Sequence, residues 1–181
     1  MIEAAGISKS FGRVRALDDF TVAMPAGRAF SLIGPNGSGK TTFLKCLLGT
    51  VIPDRGTLTL DGRDLLASPA SRARIGYMPQ IGRYPDNLRV GQLFDMLGEI
   101  RGSAARDREL IEAFGIGRIA HMPMRTLSGG TRQRVSACVA FLFDPEVLVL
   151  EPRGDRMRLV AVEYVVPQAA WSRSHPPELF G

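Results

Sequence analysis

Cysteine, histidine and tryptophan are scarce in this chain, with two, two and one copies in 181 residues. Cys46 and Cys138 are too few and too far apart for a metal centre or a disulfide framework. Each lies in an apolar helical context and reads as a small core residue in a reducing compartment. His121, beside Met122-Pro123, reads as a solvated loop residue, and His175 as an exposed residue of the tail. Long apolar runs are missing as well: no stretch approaches the roughly eighteen consecutive residues of a membrane-spanning helix. Met1-Ile2-Glu3-Ala4-Ala5 has neither the basic start nor the apolar centre of a leader, so the expectation is a cytoplasmic chain that does not cross a bilayer. There is no internal repeat and no low-complexity run.

Acidic residues are outnumbered, with a net charge of +5 and a pI near 9.8. The basic side chains are scattered rather than clustered, which favours a solvated surface over a nucleic-acid or membrane face. With 45% hydrophobic and 23% charged residues the chain suffices for one α/β domain with a real core, and disordered or collagen-like composition is excluded.

Glycine is what the chain has in supply, and it is concentrated where it matters in Gly34-Pro35-Asn36-Gly37-Ser38-Gly39-Lys40-Thr41-Thr42. This run fits G-x-x-x-x-G-K-[ST], the phosphate-binding loop. Ala29-Phe30-Ser31-Leu32-Ile33 before it reads as a buried parallel strand, and Thr42 to Gly49 after it as a helix ending on glycine. Gly34, Gly37 and Gly39 are expected to let the backbone take positive φ and approach an anion, so that successive N–H groups point into one concavity sized for a triphosphate. The helix start adds the positive end of its dipole, and the Lys40 ammonium can reach the β and γ phosphates. Thr41 is placed to ligate Mg²⁺, leaving Thr42 to pack or to bond the α phosphate. The alternative, a glycine-rich turn that binds nothing, has to explain both the spacing and the flanks.

The remaining segments follow in order. Ile7, Phe11, Val14 and Ala16 to Met24 suggest antiparallel strands, with turns at Gly12-Arg13 and Pro25-Ala26-Gly27. Phe11 alone would be read as core. Gly56 to Gly62 alternates with period two and ends in Asp-Gly, a hairpin strand. Ala73 to Gln80 is a short strand running into a loop that carries Gln80. Helical spacing runs from Val90 to Ile100 and from Ala105 to Phe114, with a glycine stop at Gly115. Leu127-Ser128-Gly129-Gly130-Thr131 precedes an apolar helix from Val135 to Phe143, and Ser128 with its glycines offers another anion-binding helix start. Val147 to Leu150 is a buried strand ending in a carboxylate, Glu151.

Four motifs together give the chain a resemblance to the nucleotide-binding subunit of ABC (ATP-binding cassette) transporters, from its start to Pro152. They are the phosphate loop, Gln80 in Tyr77-Met78-Pro79-Gln80, the signature from Leu127 to Thr131, and a Walker B-like strand from Val147 to Glu151. The resemblance implies an α/β fold of the P-loop NTPase, ABC ATPase type: a parallel core sheet, N-terminal antiparallel strands and a helical subdomain at about 80–135, lacking the usual C-terminal strands. It divides the chain into a nucleotide-binding domain at 1–152 and a non-family tail at 153–181. It implies ATP and Mg²⁺ as cofactors. Nucleotide binding falls to Phe11, stacking on adenine, and to Gly34, Asn36, Gly37, Ser38, Gly39, Lys40, Thr41 and Thr42. Thr41 and Gln80 are implied metal contacts, and Gln80 and Glu151 implied catalytic residues. Ser128, Gly129 and Gly130 are implied to cap the γ phosphate held by a second copy, so that two domains face each other head to tail, against a membrane permease subunit and on the inner face of the cell membrane.

The sequence departs from the family in two places. Thr131 stands where Gln is usual, a change expected to matter little. The last catalytic strand of the family closes on Asp-Glu, one for Mg²⁺ and one for the attacking water, whereas Leu150 is followed by Glu151 alone and then Pro152. Glu151 takes the place of one or the other. Beyond Pro152 the D-loop and switch histidine have no counterpart, and Arg153-Gly154-Asp155-Arg156-Met157-Arg158 looks like a shifted reading frame or a natural truncation. The expectations are an uncovered sheet edge, weak stability, retained nucleotide binding and impaired hydrolysis. Gly76 to Leu88 and Thr126 to Gln133 look most like the ATPases that mature the copper sites of nitrous-oxide reductase. Two alternatives stand beside the transport reading: a catalytically impaired remnant that binds nucleotide, and a soluble DNA-associated cassette ATPase. The latter is disfavoured because Thr42 to Leu127 holds neither cysteine clusters nor sustained heptads, and no nucleic-acid partner is expected.

Overall fold

The structure is a computed structural model that describes residues 1–67, 69–102, 108–151 and 160–164. The described residues divide into two compact units, one formed by those of 1–75 with 149–151 and 160–164 and the other by those of 76–148.

The first unit opens with an antiparallel hairpin, β1 (Ile2–Phe11) and β2 (Val14–Met24), in which Phe11 pairs with Val14 across the turn. Inward residues Ile2, Ala4 and Ile7 alternate with exposed ones, the period of a strand with one wet face. β3 (Ala29–Leu32) leads into the phosphate loop and α1 (Lys40–Leu47), which Gly49 ends at φ 68°. β4 (Arg55–Leu60) pairs with β1, and the turn to β5 (Arg63–Asp64) holds Asp61 and Gly62 at φ 50° and 74°, the left-handed pair expected of a two-residue Asp-Gly hairpin. The sheet order is β2-β1-β4-β5. One short helix, α2 (Pro69–Arg72), follows. The core of this unit gathers Ile2, Ile7, Met24, Phe43, Leu44, Leu47, Leu58 and Leu60, with Cys46 buried among them as expected. Phe20 of β2 and Phe43 of α1 meet with ring centroids 4.8 Å apart.

Most of β6 (Ile75–Met78) belongs to the second unit, which continues through α3 (Val90–Arg101), α4 (Arg108–Ala113), α5 (Ile116–Ile119), a 3-10 turn at Met124–Thr126 and α6 (Gly129–Phe141). Its helices close on Val90, Leu93, Phe94, Ile116, Met124, Leu127, Val135, Cys138 and Leu142. The chain then enters β7 (Val147–Leu150), whose first three residues are fully buried. In this unit α3 starts at Val90 as its apolar spacing predicts.

Two expectations about the sheet are corrected. The strand before the phosphate loop pairs antiparallel with β8 (Val160–Tyr164), Ala29 opposite Glu163 and Leu32 opposite Val160, so its pairing there is not parallel, and in the order β3-β8-β7-β6 it is the outer strand of its sheet. The physical cause is composition: Val-Ala-Val-Glu-Tyr suits a strand, and an open strand edge templates such a segment. Nor is β3 buried. Its residues are half-buried or exposed, and the following Ile33 is 63% exposed. A short apolar run signals burial on both faces only where other layers cover both, and the described elements leave these faces partly open. The rest of 152–181, including Pro152 and His175, lies outside the described residues.

Candidate functional site

The phosphate loop forms as a helix entry. Gly37 and Gly39 take φ 84° and 85°, the left-handed values that only glycine adopts freely, and Gly39 is the residue from which α1 starts. Gly34 is not left-handed, and the expectation of positive φ fails there. Its glycine is needed for space instead, because a Cβ would lie 2.8 Å from Ser38 Oγ. The Lys40 ammonium donates to the Gly34 carbonyl at 2.6 Å, the Pro35 carbonyl at 2.7 Å and Ser38 Oγ at 3.0 Å, which draws the loop around one positive charge. Asn36 and Ser38 are exposed, while Thr41 and Thr42 are half-buried in the first turn of α1. First-turn N–H groups, the helix dipole and an ammonium in one concave turn suit a chain of phosphates.

The loop is locked to the N-terminal hairpin. A Cβ on Gly39 would meet the Ala16 carbonyl oxygen at 2.4 Å and Leu17 at 2.9 Å, so main chain lies against main chain there. The same hairpin carries Phe11 at its tip, 49% exposed, which excludes the core reading and leaves an aromatic face open. The Lys9 ammonium stands 5.6 Å from the centroid of that ring. Half-buried Glu151 directly follows β7 and belongs to the same unit as the loop and Phe11.

Gln80 and the signature belong to the second unit. Gln80 is half-buried in the loop after β6. Ser128 is the N-cap of α6, accepting from the Thr131 amide at 3.1 Å, and Ser128, Gly129 and Gly130 are all exposed. Thr131 takes part in the cap: its hydroxyl lies 2.8 Å from Ser128 Oγ. The expectation that this departure matters little therefore omits a contact. Leu127 just before the cap is buried, which fixes the approach to α6.

Sequence reasoning passes over several residues that this geometry brings forward. Asp54 binds the strand before Phe11: its carboxylate accepts from Lys9 Nζ at 2.7 Å and from the Ser10 amide at 2.8 Å. The Lys9 bond and then the Ser10 amide hold its pKa below the ordinary carboxylate value. Pro53-Asp54-Arg55-Gly56 reads as a turn, and nothing in that pattern names a partner 44 residues away. Beyond Gln80, the Tyr84 hydroxyl lies 3.0 Å from Ser136 Oγ on α6, and burial pushes the Tyr84 phenol upward. Among the described residues no group of three or more histidine, cysteine or carboxylate side chains is placed to hold a metal ion. Mg²⁺ fits this loop as the companion of a phosphate chain, with the Thr41 hydroxyl as the side chain that would hold it. No helix among the described residues is long and apolar enough to cross a membrane.

The family profile described as "ABC transporter" matches residues 17–152. The Nod factor export ATP-binding protein I of Ralstonia nicotianae is 33% identical over 157 residues, covering 83% of this chain and 49% of that protein. The sulfate/thiosulfate import ATP-binding protein CysA of Rhodopseudomonas palustris is 37% identical over 164 residues, covering 84% and 47%. The chain thus spans about half the length of the curated relatives it matches. A dimeric bacterial ABC transporter cassette shares the fold with a TM-score of 0.66 at 20% identity, over 83% of this chain and 73% of that one. With the phosphate loop, the signature cap and the hairpin arranged as above, the chain belongs to the ATP-binding cassettes of the ABC transporter family.

Proposed function

We propose that this chain is an ATP-binding subunit that drives a separate membrane permease and works as a head-to-tail pair on the inner face of the cell membrane. The observation that carries the reading is the phosphate loop: Lys40 gathered by Gly34, Pro35 and Ser38, with left-handed Gly37 and Gly39 opening α1. The main-chain N–H groups and the Lys40 ammonium take the phosphates, and the open face of Phe11 takes the base. Mg²⁺ would supply positive charge to the phosphate oxygens, and the Thr41 hydroxyl is the side chain that would hold it. Ser128, Gly129 and Gly130, exposed at the start of α6, meet the nucleotide of a second copy.

Hydrolysis is the weak step. One carboxylate, Glu151, follows β7 where two tasks need filling, holding the metal ion and orienting the attacking water. The chain therefore binds ATP and turns it over slowly or not at all. The same observation carries a second reading, a catalytically impaired remnant that binds nucleotide without transport. Gly76–Leu88 and Thr126–Gln133 suggest a transporter of the kind that serves copper-site maturation of nitrous-oxide reductase, with the cargo itself chosen by the membrane partner. The relatives' names span export and import and do not select a cargo.

Calorimetry with Mg-ATP, on the full chain and on Lys40→Ala, tests the binding. The expected result is saturable heat for the first and none for the second. A folded chain that gives no heat would overturn the reading, and phosphate release at rates ordinary for an ATPase, lost in Lys40→Ala, would overturn the claim about turnover.

A further inference from the structure

The strand that presents Phe11 is irregularly paired in its own sheet. β1 changes register against β2 between Ala4 and Ile7, between Ile7 and Lys9 and between Lys9 and Ser10, and against β4 between Ala5 and Ser8. Each shift interrupts the ladder, so regular pairing does not by itself fix the direction in which the strand delivers its last residue. One residue supplies what the ladder lacks. The Asp54 amide donates to the Ser8 carbonyl at 2.8 Å, and its carboxylate accepts from Lys9 Nζ and from the Ser10 amide. Three successive residues ahead of Phe11 are thus tied to one aspartate. The tied Lys9 ammonium in turn lies against the Phe11 ring, 5.6 Å from its centroid.

Asp54 also stands at a particular place in the chain. It follows α1 by a short link whose Thr50 and Val51 amides both donate to the Lys45 carbonyl at 2.9 and 3.1 Å. The phosphate loop lies at the other end of α1, where Gly39 presses on Ala16 and Leu17 of β2. The hairpin is therefore held to the phosphate-binding segment at both ends of one helix, and both attachments lie in the first unit.

We infer that Asp54 is a positioning residue for Phe11, which sets the aromatic face at a fixed distance from the phosphate loop and so contributes the base-dependent part of nucleotide affinity. This rests on the reading of Phe11 as the base platform. The partner chemistry is a purine nucleoside triphosphate, whose two ends are judged separately: phosphates by the loop, base by the Asp54-Lys9-Phe11 arm.

Calorimetry of the full chain with Mg-ATP and with Mg-tripolyphosphate, which has no base, separates the two ends. The wild type should bind ATP about tenfold or more tightly than tripolyphosphate, the size of a base-aromatic stack. Asp54→Ala should lose most of that difference while keeping its tripolyphosphate affinity. Asp54→Asn, which retains an acceptor for the Ser10 amide, should lose less. Phe11→Ala should match Asp54→Ala, and the double variant should add nothing further. The inference is overturned if Asp54→Ala keeps the wild-type preference for ATP. It is also overturned if Asp54→Ala loses both ligands together, since the aspartate would then support the loop as a whole. A wild type that binds both ligands equally removes the base platform, and with it the inference, while leaving the phosphate loop in place; one that binds neither overturns the nucleotide reading itself.

Discussion

At Gly39 the backbone is left-handed and a methyl group would be driven to 2.4 Å from the Ala16 carbonyl oxygen. Gly37 shares the left-handed conformation but has nothing within 4 Å. The two glycines separate strain from collision. Gly37→Ala should lower unfolding free energy by about 1 kcal/mol, the left-handed penalty alone. Gly39→Ala should lower it by at least about 2 kcal/mol and weaken ATP binding, because main chain has to move. Urea unfolding of both variants checks the order, and equal losses would show that the loop relaxes away from β2. Asp61 gives a second test at this scale. Hydrogen bonds from the N-terminal ammonium, first, and from Arg74 hold its pKa below the usual carboxylate value. A lowered folded pKa stabilises fully above the unfolded value near 4. The contribution is lost as pH falls through the still lower folded value. Asp61→Asn should therefore flatten the acid limb of stability below about pH 4 and change neutral stability by less than about 1 kcal/mol, since the group is exposed.

Among the elements, α6 and β3 show how far a pattern reaches. Ser128 before two glycines and an apolar run predicts a capped helix, and the cap forms on the Thr131 amide. Capping is a matter of four adjacent residues, so it is written in adjacent letters. Ser128→Ala should cost about 1 kcal/mol in the second unit, read as a lower melting temperature. Thr131→Val, which removes the hydroxyl beside Ser128 Oγ, should cost less, because the amide still donates. The phosphate loop was legible for the same reason, although α1 starts at Lys40 and Gly34 is not left-handed. What sequence reasoning misses has its cause elsewhere in the chain. The exposure of β3 depends on which layers cover it, its antiparallel neighbour lies more than 120 residues later, and Asp54 reaches partners on β1 some 44 residues earlier. Alternation and capping are local properties, whereas pairing partners are selected by competition among all strand edges.

At the scale of the whole molecule, the distribution of residues between units has a functional reading. Phe11, the phosphate loop and Glu151 fall in one unit, Gln80 and the signature in the other, and each unit has its own apolar core. ATP should therefore stabilise the first unit directly: at a concentration one hundred times Kd the gain is about 2.7 kcal/mol. Hydrogen exchange with and without Mg-ATP should show new protection across residues 29–48. If exposed Ser128, Gly129 and Gly130 meet a second copy, Mg-ATP should also convert monomer to dimer in sedimentation. With Glu151 as the one carboxylate directly after β7, that dimer should persist for hours instead of decaying by turnover. A monomer at saturating nucleotide would contradict the head-to-tail pairing.

The pairing of β3 with β8 gives the end of the chain a stake in its beginning. A gene trimmed after codon 151 would look like a tidy cassette fragment. Its product would instead bare the backbone amides and carbonyls of the strand that feeds the phosphate loop, and bared strands of neighbouring molecules zip together. We expect such a shortened polypeptide to collect in inclusion bodies, and to be rescued by supplying 159–165 as a separate peptide.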